Sequence, residues 1–160
     1  MTAGGSSLPE VQRLLSVLAA GRRAAEVGTA FGEGAAAIAS TASSLVTVEI
    51  DRERAELARA RLGALVNVEL VVGDWREALP PRAPFELLFL DGGAWKADPF
   101  VAVPLAADLL GAGGLLVCDD FTPGFAGRDP AREALFGDAR LVAAEILVRP
   151  ESAVVVAARL

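Results

Sequence analysis

Residues 26–34 read Glu-Val-Gly-Thr-Ala-Phe-Gly-Glu-Gly, and this stretch decides the fold that the sequence predicts. It overlaps the end of a short apolar run at 24–27, and an alanine-rich segment that favours helix follows it. About twenty residues further on, a second apolar run at 45–48 ends in Glu49. A strand, a glycine turn, a helix and a strand ending in an acid form the unit with which an open α/β sheet holds a nucleoside-containing cofactor.

The residue types in this unit suit such a ligand. Gly28, Gly32 and Gly34 let the backbone approach a ligand closely and allow positive φ angles. Glu49, at the tip of the second predicted strand, can accept hydrogen bonds from both hydroxyls of a ribose. We therefore expect a cofactor-dependent enzyme.

The spacing of the glycines indicates which cofactor is bound. A dinucleotide turn reads G-x-G-x-x-G with its first glycine at the strand end, whereas Gly28, Gly32 and Gly34 give G-x-x-x-G-x-G. Together with Glu26, this loop resembles motif I of the class I S-adenosylmethionine-dependent methyltransferases, E-x-G-x-x-x-G-x-G, at every fixed position. The resemblance implies S-adenosylmethionine as cofactor, with Glu26 and the three glycines among its binding residues.

A second pattern overlaps the first. Residues 32–37 also fit the dinucleotide form G-x-G-x-x-A. That match starts too far beyond the strand for a tight turn, and it places Glu33 where a pyrophosphate dianion would approach. S-adenosylmethionine is therefore favoured over NAD. An NAD-dependent oxidoreductase stays open as the enzymatic alternative, and a catalytically inactive cofactor-binding module as the non-enzymatic one.

The composition limits the class of protein. The 160 residues predict one domain, 1–160, with an N-terminal helix in 1–22 and a cofactor-binding core in 23–160. A net charge of -6 and a pI near 4.7 argue against a nucleic-acid partner. No uncharged apolar run reaches the ~18 residues of a membrane span, and no signal peptide is visible. A single cysteine fits a reducing cytoplasm, so we expect a cytoplasmic enzyme with a small-molecule substrate.

The chain lacks the commonest proton-transfer group. It contains no histidine and no tyrosine, and Lys96 is its only lysine. Acid–base chemistry therefore falls to carboxylates, arginines or Lys96.

The order of apolar runs predicts a single doubly wound, Rossmann-like α/β domain. Seven strands are expected, at 24–27, 45–49, 68–72, 85–90, 115–118, 141–148 and 153–158. Residues 7–10 predict a capping box for the first helix, and the glycines of 111–114 are expected to separate the helix at 99–110 from the fifth strand. Because only residues 149–152 join the last two strands, that pair is expected to be an antiparallel hairpin in an otherwise parallel sheet. The class I methyltransferases have this pattern.

Predicted strands one to five all end in glycine or an acid, and ligands of such sheets bind beyond the strand ends. After the third strand come Asp74 and Trp75. In the methyltransferases this loop flanks the adenine, which implies that Asp74 accepts from the exocyclic amine and Trp75 packs on the ring. Packing of Trp75 in the core is the alternative.

The fourth and fifth strand ends carry the most specific resemblance. Asp91 is followed by Trp95-Lys96, and Asp119-Asp120 comes later, which resembles catechol O-methyltransferase and its small relatives. The resemblance implies that Asp91, Asp119 and Asp120 hold Mg²⁺, that Asp91 also borders the cofactor, and that Asp91 and Lys96 act in catalysis. The metal would bind two adjacent substrate hydroxyls and lower the pKa of one.

The chain departs from that subfamily in two ways. Two extra residues separate Asp91 from Lys96, and Asp120 replaces the usual asparagine. In the alternative interpretation, Asp91 only borders the cofactor and Asp119-Asp120 cap the following loop.

These observations predict methyl transfer from S-adenosylmethionine to a small molecule, most readily at oxygen, with assistance from a divalent cation as a further expectation. Little sequence precedes motif I, so the substrate site is expected either to be open or to be covered by a second subunit in a homodimer. Ser6 and Ser7 could contact the cofactor carboxylate, but helix capping is the favoured role.

Overall fold

The computed structural model describes residues 7–160, which form seven strands and six α-helices. The strands are β1 Arg23–Val27, β2 Ser44–Glu49, β3 Val68–Val72, β4 Phe85–Leu90, β5 Leu110–Phe121, β6 Leu141–Arg149 and β7 Ser152–Arg159. The helices are α1 Pro9–Ala19, α2 Glu33–Ala39, α3 Arg52–Leu62, α4 Trp75–Ala78, α5 Pro99–Leu109 and α6 Pro130–Gly137. Among these residues, no helix is both long and apolar enough to cross a membrane.

All seven strands lie in one sheet in the order β3-β2-β1-β4-β5-β7-β6. The pairs among β1 to β5 are parallel, and β7 is antiparallel to both β5 and β6. The predicted mostly parallel sheet with a C-terminal antiparallel pair is confirmed. The order reverses direction between β1 and β4, where an open α/β sheet has its ligand crevice.

Apolar side chains cover both faces of the sheet. In β4, Leu87 and Phe89 belong to the core on one face, and Leu88 and Leu90 belong to the core on the other. Side chains alternate along a strand, so a strand between two helical layers must be apolar at nearly every position. This burial fixes the positions of the strand ends, where the polar residues lie.

β5 is longer than the sequence predicts. It begins at Leu110, so the glycines of 111–114 lie in a bulged first part of the strand instead of separating it from α5. The pairing shows the bulge, because Phe85 pairs with Leu110 but Leu87 pairs with Leu115. The predicted start at 115 was therefore wrong. β5 also continues through Asp119 and Asp120, with a second irregularity between Cys118 and Phe121.

The capping box predicted at 7–10 is not formed. The N-cap of α1 is Leu8, and no side chain caps the helix. Ser7 lies one residue too early for the cap, and its hydroxyl donates instead to Asp91 Oδ2 at 3.3 Å. Ser6 lies outside the described residues.

Candidate functional site

A cavity of about 680 Å³ lies at the carboxyl ends of the parallel strands. Its lining brings together most of the site residues that the sequence predicts, namely Gly28, Glu49, Asp74, Trp75, Asp91, Asp119 and Asp120. Glu26, Gly32, Gly34 and Lys96 are not part of this lining. The polar strand ends therefore share one crevice, as the parallel sheet requires.

Two glycines of the loop after β1 are required by their surroundings. Gly28 has a φ of +91°, and a Cβ there would lie 2.9 Å from the carbonyl oxygen of Asp91. Gly34, in the first turn of α2, would place a Cβ 2.5 Å from Oε1 of Glu26. The loop can therefore pack against β4 and over Glu26 only without side chains at these two positions.

Glu26 lies beneath the loop, buried in the sheet. Its Oε2 accepts a hydrogen bond of 2.6 Å from the Thr47 hydroxyl, which is itself 2.6 Å from the hydroxyl of Thr29. Burial raises the pKa of Glu26 to about 8, and the nearby carboxylates of Asp91 and Glu49 act in the same direction. In the absence of a ligand, Glu26 is thus predominantly protonated at neutral pH.

The carboxylate of Glu49 is held by backbone groups. Oε2 accepts from the N–H of Ala30 at 2.8 Å, and Oε1 accepts from the N–H of Asp51 at 3.0 Å. Asp51 caps α3 by accepting from the backbone of Glu53 and Arg54, so Glu49 is not needed for capping. Each carboxylate oxygen has a second lone pair, so Glu49 can still accept from two ligand hydroxyls at the cavity wall.

The loop after β3 holds Asp74 and Trp75 together. Asp74 caps the short helix α4 by accepting from the N–H of Arg76 at 2.9 Å. Trp75 belongs to the core and also lines the cavity, with the guanidinium of Arg76 5.1 Å from its ring centroid. The structure thus supports core packing for Trp75, although part of it reaches the crevice.

Asp91 lies at the end of β4, in contact with the N-terminal segment. Its Oδ1 accepts from the N–H of Gly92 at 2.7 Å, and its Oδ2 accepts from the hydroxyl of Ser7. Burial, together with the nearby carboxylates of Asp119 and Asp120, raises the pKa of Asp91 to about 6. Ser7 also lines the cavity. The sequence left a contact between Ser7 and the cofactor open but favoured helix capping.

The three acids predicted to hold Mg²⁺ do not form a metal cluster. Within residues 7–160, no three Asp, Glu, His or Cys side chains converge closely enough to hold a metal ion. Asp119 is buried and turns Oδ1 back to the N–H of Asp120 at 2.7 Å, while the backbone of Asp120 has a φ of +64°. The described residues therefore do not fit the predicted magnesium site.

Lys96 reaches the end of β5 despite the two extra residues before it. Its Nζ donates to the carbonyl oxygens of Asp119 at 2.8 Å and Asp120 at 2.6 Å. It also lies 4.4 Å from the ring centroid of Phe121. Burial lowers the pKa of Lys96, although nearby carboxylates, chiefly Asp120, oppose that shift. Lys96 lines a second, smaller cavity, and Asp120 borders both cavities.

A sheet with this strand order, a glycine loop after β1 and an acid at the end of β2 has the class I methyltransferase fold. The chain belongs to the family described as "Methyltransferase domain", which it matches over residues 25–121.

Comparison with individual proteins agrees with this family. Over 100 residues, the chain is 39% identical to the protein-L-isoaspartate O-methyltransferase of Methanoculleus marisnigri, a match that covers 59% of this chain and 42% of that protein. The enzyme of the same name from Methylorubrum populi is 37% identical over 106 residues, which cover 65% of this chain and 47% of that protein. The matches thus span less than half the length of these curated relatives.

Solved structures share the fold over nearly the whole chain. The O-methyltransferase TomG from Streptomyces achromogenes, in complex with SAM, has a TM-score of 0.79 at 25% identity, covering 99% of this chain and 83% of that one. Cofactor-bound Rv0187 from MTB has a TM-score of 0.81 at 24% identity, covering 96% of this chain and 81% of that one.

Proposed function

We propose that this protein transfers a methyl group from S-adenosylmethionine to an oxygen atom of a small acceptor molecule. The main support is the large cavity, in which the glycine loop, the backbone-held carboxylate of Glu49 and the partly buried carboxyl of Asp91 meet at one edge of the sheet. The family assignment and the ligand of TomG agree with this cofactor.

The proposed cofactor lies along the strand ends in a definite direction. Its adenine lies at Asp74 and Trp75, its ribose hydroxyls donate to Glu49, and its methionine part lies by Gly28 and Asp91. Glu26, Gly32 and Gly34 act from below by shaping the loop. Because the sulfonium and ammonium groups of the donor are cationic, the acids of this cavity favour its binding.

In the proposed reaction, an acceptor oxygen attacks the methyl carbon as the carbon–sulfur bond breaks and its electron pair passes to sulfur. Where the acceptor is a hydroxyl, its proton must move to a base, and Asp120, which borders both cavities, is the candidate. Lys96 acts as an electrostatic partner of the acceptor, because two carbonyl acceptors hold its Nζ in place. Asp91 contributes by attracting the donor, and positioning supplies much of the rate.

Asp91, Asp119 and Asp120 do not converge on one point, so the proposed reaction has no step through Mg²⁺. The divalent cation is therefore a variable of the experiment below and no part of the proposed mechanism.

A second candidate acceptor is the carboxylate of an isoaspartate residue in a peptide, the substrate in the names of the sequence relatives. An ionised carboxylate needs no base, so this reaction requires no proton transfer from the acceptor. Methyl transfer from labelled S-adenosylmethionine to an isoaspartyl peptide tests this candidate directly.

Calorimetric titration with S-adenosylhomocysteine, with and without Mg²⁺ and against NAD, tests the cofactor. We expect micromolar binding of S-adenosylhomocysteine and none of NAD. Glu49→Gln should weaken binding by about tenfold to a hundredfold, because hydrogen bonds to a charged group contribute about 1.5–3 kcal/mol. Glu53→Gln is the matched control, since Glu53 is exposed on α3 and does not line the cavity.

The outcomes separate the alternatives. Preference for NAD would contradict the methyltransferase proposal and favour an oxidoreductase. Binding of S-adenosylhomocysteine without transfer to any hydroxyl or carboxylate acceptor would indicate an inactive cofactor-binding module.

A further inference from the structure

A second cavity, of about 260 Å³, lies beyond the end of β5. Asp120 lines both this cavity and the large one, so the two adjoin at the end of the crevice where the methionine part of the donor is placed. A cavity of about 150 Å³ can hold a benzene ring. The second cavity therefore has room for one substituted ring.

The two cavities differ in charge. Five carboxylates and two guanidinium groups line the large one, whereas three cations and two carboxylates line the small one. A cationic ligand is thus favoured in the first cavity, whereas in the second two of the three cations are already paired with carboxylates.

Lys96 is the cation in the small cavity without an ion-pair partner. Arg132 pairs with Asp129 and Glu145, and Arg128 pairs with Glu133. Within residues 7–160, no carboxylate lies within ion-pair distance of the Lys96 Nζ, which donates to two backbone carbonyls. An ammonium has three N–H donors, so one remains for a ligand.

Aromatic rings supply apolar contact in the same cavity. Phe121 and Phe125 both line it, and Phe125 is more than half exposed. The ring of Phe125 lies against the backbone of Gly127, where an added Cβ would come within 2.8 Å of the ring. A side chain at position 127 would therefore displace Phe125 from the cavity wall.

We propose that the small cavity is the acceptor site and that the acceptor is a small, single-ring molecule with an anionic group bound by Lys96 and Arg128. This inference rests on the proposed function, because it assigns the second substrate of the same reaction. The ring would pack against Phe125, with the reactive oxygen toward Asp120 and the large cavity.

Lys96 gives the test a single reporter, since a protein grown with isotope-labelled lysine yields one lysine side-chain signal in NMR. S-adenosylhomocysteine is first bound, and calorimetry confirms saturation. The complex is then titrated with para-hydroxybenzoate, with para-hydroxybenzamide as the uncharged analogue, and with an isoaspartyl peptide. We expect para-hydroxybenzoate to shift the Lys96 signal and to bind at least about tenfold more tightly than the amide.

Two substitutions test the charge and the shape of the small cavity separately. Arg128→Gln should reduce the preference for the benzoate several-fold and leave S-adenosylhomocysteine affinity unchanged. Arg149→Gln is its control, since Arg149 pairs with Glu10 and lines neither cavity. Gly127→Ala should weaken both ring ligands equally, because it displaces Phe125 without changing charge.

Equal affinity for the two ring probes, no binding of either, or an unchanged Lys96 signal would overturn the inference while the cofactor assignment stands. A Lys96 shift caused by the peptide but not by the benzoate would also overturn it, in favour of a peptide acceptor. Failure at the first step, with no binding of S-adenosylhomocysteine, would remove the proposed function and this inference together.

Discussion

At the residue scale, the glycine loop and Glu26 depend on each other. Gly34 leaves room for a buried carboxyl group, and that group lies directly beneath the loop. A methyl group at position 34 would come 2.5 Å from Glu26 Oε1, closer than non-bonded atoms can approach. Because the surroundings of Glu26 are packed, its side chain has little space into which it could move.

We predict that Gly34→Ala lowers the free energy of unfolding by about 1–3 kcal/mol, as overpacking of a buried site does. It should also weaken the binding of S-adenosylhomocysteine, because relief of the clash shifts the loop. Denaturant unfolding and calorimetry measure the two effects. Gly137→Ala is the control, since a Cβ at Gly137 meets nothing within 4 Å. A Gly34→Ala protein as stable as the control would mean that the loop tolerates a side chain there.

The protonation of Glu26 predicts how stability depends on pH. Its pKa is about 8 in the folded protein and 4.5 as a free side chain, so the folded state binds more protons between these values. The unliganded protein should therefore lose stability as pH rises from about 5 to about 8. Each unit of pKa corresponds to about 1.4 kcal/mol.

Glu26→Gln removes this titration. We expect the variant to gain at least about 1 kcal/mol relative to the parent between about pH 5 and about pH 9, measured by urea unfolding across that range. Parallel pH profiles for the two proteins would show that Glu26 keeps an ordinary pKa.

The sequence predicted the shared location of those residues whose positions follow from local order. Gly28, Glu49 and Asp91 each end a strand, so their shared edge follows once the strands are parallel. The contact between Ser7 and Asp91 could not be predicted, because the two residues are 84 positions apart and meet only when α1 has packed on the sheet. The expected metal cluster depended on side-chain directions at the end of β5, which strand pattern alone does not fix.

At the scale of elements, Arg132 connects three segments around the small cavity. From α6 it pairs with Asp129 and with Glu145 of β6, and its guanidinium donates to the carbonyl of Thr122 at 2.8 Å. It also lies 4.9 Å from the ring centroid of Phe121. Its side chain is 20% exposed, against 74% for Arg128 on the preceding loop.

We predict that Arg132→Met lowers the free energy of unfolding by about 2 kcal/mol, because the partly buried carboxylates of Asp129 and Glu145 lose their ion-pair partner. Arg128→Met should change it by no more than about 0.5 kcal/mol, as expected of an exposed pair. Chemical denaturation of both variants measures the difference. Similar losses in the two variants would show that exposure does not decide the strength of these ion pairs.

Elements with a long apolar pattern were predicted well, and those without one were not. The four-residue helix α4 is too short to show helical periodicity, and it forms because Asp74 caps it. The start of β5 was misplaced because glycine ordinarily marks a turn. Here, pairing of Leu110 with Phe85 holds the glycine segment in the sheet, and that contact cannot be read from local sequence.

At the scale of the whole molecule, β6 forms one edge of the sheet, and its pairing is irregular only near its end, between Leu147 and Arg149. Natural edge strands are blunted by unpaired charges, prolines or bulges. The two charged residues of β6, Glu145 and Arg149, pair with Arg132 and Glu10 within the chain. Val142 and Leu147 are 58% and 64% exposed on the same strand. An apolar edge of this kind favours association with another edge.

We predict a homodimer formed through this edge, with a mass in solution of about twice the 16.5 kDa of the chain. Leu147→Lys should shift the mass measured by light scattering toward the monomer, because it places a charge beside its symmetry-related copy. Val17→Lys, a change at an equally exposed apolar residue of α1, should leave the mass unchanged. A parent protein with the mass of one chain at high concentration would contradict the dimer. In that case the acceptor site would have to function without a second subunit.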